Sequence, residues 1–253
     1  MLDQILPANL FAALLVFARI GSAMMMLPGI GEAYVNPRLR LMLGMALTVL
    51  ATPLLAPSLP PLPGTPIGLF MLLGEEISIG LFLGTLARIL LAAVQVAGSV
   101  ISLQLGLSAA LIFNPLQQQQ EAITSTFLSV AGVLVIFLAD LHHVMLRALI
   151  DSYTVFTPGT FFPWGDFSDV IARAVADSFR LGIEMAAPFM VIGTIFYVAV
   201  GLISRLAPQL QILFAIQPLQ LVAGLIAFAF LIASGLQWFL ERFAQDLVLF
   251  MGA

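Results

Sequence analysis

From Ile67 to Val94 the chain is one apolar run interrupted by only three charges, Glu75, Glu76 and Arg88. A helix crosses the hydrocarbon core of a bilayer with about 20 apolar residues, so a run of this length limits the fold more than any short motif. Comparable segments lie near residues 8–27, 41–57, 122–150, 181–203 and 210–240, which makes about six long helices. Pro28, Gly29 and Gly31 divide the first from the second, and the proline run from Pro57 to Pro66 divides the second from the third. Only 9% of the 253 residues are charged, against about 25% in soluble proteins, and no stretch is polar enough to fold as a soluble domain. The expected fold class is all-α, an integral membrane-type helical subunit.

The same composition excludes several chemistries. There is no cysteine, so disulfides, thiolate nucleophiles and zinc–thiolate sites are ruled out. A net charge of -4 gives no basic surface for nucleic acid. No Walker loop, dinucleotide fingerprint or Ser/His/Asp constellation is present, so neither an enzyme nor a cofactor is expected. The start of the chain carries Asp3 and no arginine before Arg19, unlike the basic n-region of a signal peptide, so the first apolar segment is expected to be retained. The arginines give no clear orientation: Arg38 and Arg40 follow the first segment, while Arg147, Arg173 and Arg180 lie among four aspartates.

Polar residues concentrate in two places. Between residues 94 and 121 a helical pattern carries Gln95, Ser99, Ser102, Gln104 and Ser108, too many polar groups to face lipid. It runs into LIFNPLQQQQEA, where Pro115 disfavours helix at Asn114 and turns the chain. The connection from Asp151 to Arg180 is the longest polar one and carries a short amphipathic helix over Asp166–Arg180; another short helix is expected over Glu241–Asp246.

Within the apolar segments, spacing singles out residues for close helix packing or ion pairing. Glu76, Gly80, Gly84 and Arg88 recur every fourth residue beside Glu75, and Gly98, Ser102, Gly106 and Ala110 repeat the pattern. Small residues so spaced let a neighbouring backbone approach, and a charge inside an apolar helix is a functional candidate. Structural pairing is favoured over an ion relay, which needs several aligned titratable partners. Asp140, His143, Arg147 and Asp151 share a helical face, with His142 about 100° away, so two adjacent histidines on a helix are not expected to share a metal. Glu184, Pro188 and Arg205 complete the set of polar or kinking positions.

These motifs together carry a specific resemblance. AAVQVAGSVISLQLGLSAALIFNP (92–115) and FLADLHHVMLRALIDSY (137–153), with PGIGEAYVNPRLR (28–40), GEEISIGLFLG (74–84), Pro188 and GLISRLAPQLQI (201–212), resemble the FliR family of flagellar export-gate subunits, whose injectisome relatives are the type III secretion T subunits. The resemblance spans almost the whole chain. It implies a subunit that joins FliP and FliQ homologues in a helical, dome-like assembly, with residues up to about 177 FliP-like and about 178–253 a FliQ-like helical hairpin. It further implies FlhB at the channel entrance, an FlhA ring, unfolded export substrates and lipid as partners. The expected place is the bacterial inner membrane, in the flagellar basal body, with much of the subunit at periplasmic level. The loop Leu111, Ile112, Phe113, Asn114, Pro115, Leu116, Gln117, Gln118, Gln119 and Gln120 corresponds to the family's pore plug. Its apolar residues suit a constriction, and its neutral glutamines exchange hydrogen bonds without carrying fixed charge. The injectisome branch is one alternative; a stand-alone secondary transporter using Glu75, Glu76, Glu184 and the Asp140/His143 row is another, although no internal repeat supports it.

Overall fold

A computed structural model describes residues 2–106, 123–159, 164–206 and 212–251. Among these residues every regular element is helical: α1 (Leu2–Met26), α2 (Pro37–Leu55) followed by a 3-10 turn (Ala56–Ser58), α3 (Pro66–Gln104), α4 (Ile123–Leu138), α5 (Leu141–Val155), α6 (Trp164–Leu206) and α7 (Ile212–Met251). Five are long and apolar enough to cross a membrane, or six if the bent α4–α5 pair is one span. The all-α membrane-type expectation holds.

The helices run further than hydropathy suggests. The third segment continues through its polar residues to Gln104, the amphipathic stretch 166–180 is one helix with the apolar stretch after it, and 241–246 is the continuation of α7. None of these joints contains a proline or a capping signal, so backbone hydrogen bonding continues across the change in polarity. The segment expected at 122–150 instead bends by 75° between α4 and α5. Asp140 sits there in the left-handed region at φ 58°, which interrupts an α-helix and which aspartate tolerates better than most residues.

The chain divides into two compact units. One comprises residues 1–90, 136–175 and 244–253. In α1 a wholly buried stripe repeats every fourth residue, Leu15, Arg19 and Ala23, and continues at Leu27 just past the helix end. Buried faces of α3 (Ile79, Leu83, Leu86, Ala87) and α5 (Met145, Ala148, Leu149, Tyr153) belong to the same core. Phe82 of α3 stacks on Phe167 of α6 with ring centroids 3.9 Å apart. Asn36 opens α2 by accepting a 2.9 Å hydrogen bond from the Arg38 backbone, with Pro37 in the first turn where its missing N–H costs nothing.

The other unit comprises residues 91–135 and 176–243 and holds two antiparallel pairings. Gln95 of α3 meets both Ser125 and Ser129 of α4 at 3.1 Å, and Gly132 of α4 lies against Leu91 and Val94. Tyr197 of α6 bonds Gln220 of α7 at 3.0 Å, and further from the connection Phe189 packs on Phe228 at 6.1 Å. Burial is uneven: 61% of the most apolar stretch of α3 is covered, but only 17% of that of α6 and 11% of that of α7. The outward faces of α6 and α7 therefore remain for lipid or other chains to cover.

Candidate functional site

The strongest electrostatic feature lies within the first unit. Arg19 and Glu76 are both fully buried. Arg19 Nε donates to Glu76 Oε2 at 2.7 Å and its Nη2 to Oε1 at 2.8 Å, the bidentate fork that suits guanidinium and carboxylate. Nη1 donates to Ser152 Oγ at 3.1 Å, Nη2 also to the Phe156 carbonyl at 2.8 Å, and the guanidinium carbon lies 3.8 Å from the centre of the Tyr153 ring. Three helices thereby share one buried charge pair: Arg19 from α1, Glu76 from α3, and Ser152 with Tyr153 from α5. Phe156 closes the end of α5, where its carbonyl lacks a helical partner.

The predicted small-residue row flanks this pair. A Cβ on Gly80 would collide with the Arg19 carbonyl and the Ser22 hydroxyl, and one on Gly84 would lie 2.6 Å from the Ala23 carbonyl. Both glycines therefore let α3 lie directly on the α1 backbone, which brings Glu76 within reach of Arg19. Arg88, on the same row, does not pair with Glu76; it lies 3.9 Å from Glu32 and is half exposed. Glu75 is partly exposed and has no ion pair among the described residues.

The second row behaves likewise in the other unit. A Cβ on Gly98 would strike the Ser125 backbone, and Ser102 is buried. Gly106 takes φ 73°, the left-handed turn that ends α3. There Gln220 of α7 donates from Nε2 to the Gln104 carbonyl at 2.9 Å and to Tyr197 Oη at 3.0 Å. The plug candidates, Leu111 to Gln120, lie outside the described residues, within the connection that joins α3 to α4.

The remaining candidates are peripheral to both clusters. Asp140 and His143 approach to 3.6 Å with both side chains exposed; Asp140 precedes α5, so it does not continue a helical row with Arg147, which is exposed. Glu184 pairs with Arg180 one turn away at 2.7 Å, and Arg205 is exposed in the last turn of α6. Reading by spacing missed Arg19, Ser152, Tyr153 and Gln220. For Arg19 a signal existed: it is the single charge inside the 8–27 segment, and an arginine there needs a carboxylate partner.

Residues 10–245 match the family described as bacterial export proteins, family 1. The chain belongs to that family. A flagellar biosynthetic protein FliR of Caulobacter vibrioides is 34% identical over 242 residues, covering 96% of this chain and 96% of the relative. A protein of the same description from Bacillus subtilis is 32% identical over 62% of each chain. A Yop proteins translocation protein T of Yersinia pestis is 28% identical over 60% of this chain and 59% of its own, which places a translocation protein among the relatives of this FliR-family chain. Membership makes the chain a component of bacterial export apparatus, and its apolar helices make it a membrane-associated one.

Proposed function

We propose that the chain is a core subunit of the flagellar type III protein export gate, forming with FliP and FliQ homologues the channel for unfolded flagellar subunits. The observation that carries this reading is the likeness to flagellar FliR along nearly the full length of both chains. The physical features agree with it. The apolar faces on α6 and α7 suit a subunit whose neighbours complete its packing. The antiparallel α6–α7 pairing suits a FliQ-like hairpin from about residue 178 onward, after a FliP-like part.

The paired charges, of which Arg19–Glu76 is buried, favour architecture over enzymatic work or ion transport. Glu76 is held by Arg19 on two bonds, and Glu184 by Arg180; a transporter would need such groups free to exchange ions. The plug role of Leu111 to Gln120, FlhB at the entrance, the FlhA ring and a position largely at periplasmic level belong to the same proposal.

Co-expression tests the assembly. The chain should copurify with FliP and FliQ homologues as one species, and a host lacking its own FliR should regain motility. A monodisperse monomer that is stable alone and binds a small solute would overturn the reading in favour of a transporter.

A further inference from the structure

We propose that Asp140, His142 and His143, at the bend between α4 and α5, form a binding site for one divalent transition-metal ion of the zinc class. On a continuous helix adjacent side chains diverge by about 100°, which argues against chelation by neighbouring histidines. Both histidines lie within α5, yet their rings lie close together. Asp140 is left-handed, and the histidines occupy the first turn of α5 rather than the middle of a helix. The His142 ring lies parallel to that of Phe137, 4.7 Å away and tilted by 8°, and the two imidazole centroids are 4.0 Å apart.

One ligand atom from each of the three residues lies within 4.8 Å of the other two. Asp140 Oδ1 and His143 Nδ1 are 3.6 Å apart, close to the roughly 3.4 Å edge of a tetrahedron with bonds of about 2.1 Å. The other separations reach up to 4.8 Å, so ligation requires the side chains to move closer together. Two further observations concern the hydrogen bonding of these groups. The Asp140 carboxylate makes no capping bond to α5, although capping is the usual work of an aspartate in that position. His142 Nδ1 is buried without a hydrogen-bond partner among the described residues, an arrangement that calls for a missing partner.

Two imidazoles and a carboxylate suit Zn²⁺ or Co²⁺ rather than Ca²⁺ or Mg²⁺, which prefer all-oxygen sites. Three protein ligands leave a fourth position for water or for a side chain of another subunit. Asp140 and His143 are 79% and 70% exposed, so the ion has a path in. Occupancy would stiffen the α4–α5 bend, because ligation ties the turn residue to the helix that follows it.

The test uses the tag-free full chain in detergent, titrated with Co²⁺ and then Zn²⁺. One equivalent of Co²⁺ is expected to give a visible ligand-field absorption that Zn²⁺ bleaches. His143→Asn and Asp140→Asn, both at exposed positions and the latter able to keep the left-handed backbone, should weaken binding by about tenfold or more. Asp151→Asn, on α5 but outside the cluster, should bind like the parent chain. The absence of saturable binding, or equal affinity in the parent and the two cluster variants, would overturn the site.

Discussion

Arg19 stands in a stripe that is otherwise Leu15, Ala23 and Leu27, all wholly buried, so its charge is tolerable only because Glu76, Ser152 and the Phe156 carbonyl meet it. Removing one member strands the other in an apolar core. Arg19→Met should cost about 3–5 kcal/mol of stability, whereas Arg19→Met with Glu76→Leu should cost clearly less, since no uncompensated charge remains. Unfolding of Arg19→Met, Glu76→Leu and the double variant in detergent measures the coupling; additive losses would show that the pair does not act as a unit. The glycines beside it make a second test. Gly84→Ala places a methyl 2.6 Å from a backbone oxygen, and the overpacking should cost about 1–3 kcal/mol. Gly74→Ala meets nothing within 4 Å on the same helix and should be neutral or stabilising by about 0.5–1 kcal/mol, a contrast that a thermal melt resolves. At this scale Glu76, Gly80 and Gly84 were legible because spacing along one helix exposes them. The pairing of Arg19 was not, because its partner is 57 positions away.

At the scale of the element, the sequence shows where apolar windows lie but not where helices stop. α3, α6 and α7 contain 39, 43 and 40 residues. At 1.5 Å per residue they reach about 58–65 Å, roughly twice the hydrocarbon thickness of a bilayer. A window matched to a membrane divides such helices at changes of polarity, as happened at residue 94 and at 180, although no breaker lies there. The bend at Asp140 was equally hidden, since aspartate gives a weaker left-handed signal than glycine. The end of α3 illustrates what the long helices build between them. Gln220 reaches from α7 to the Gln104 carbonyl, two residues before the left-handed Gly106. Gln220→Leu removes this bond and the one to Tyr197, a loss of about 1–3 kcal/mol confined to that junction. Hydrogen exchange should quicken in peptides covering residues 100–106 and stay unchanged in α1; uniform protection across both would mean that Gln220 does not hold the end of α3.

At the scale of the molecule, the export reading was legible because many separated motifs agree in order, and the family match extends over residues 10–245. The proposed plug was not legible in the same way, because a seal in an oligomeric channel is made between chains and depends on what faces each residue. The connection that carries Leu111 to Gln120 joins two helices tied together at Gln95, Ser125 and Ser129, and in the proposed plug its sequence would supply the sealing groups. Leu111, Ile112, Phe113 and Leu116 are apolar enough to exclude water from a constriction, and the four glutamines can bind neighbouring loops without a charge that would attract ions. Deletion of Gln117 to Gln120, or Phe113→Gly, should therefore leave assembly with FliP and FliQ homologues intact and raise the ion conductance of the reconstituted complex. The two properties separate the outcomes: unchanged conductance in a correctly assembled complex would refute the plug, while loss of assembly would instead assign the loop to subunit packing.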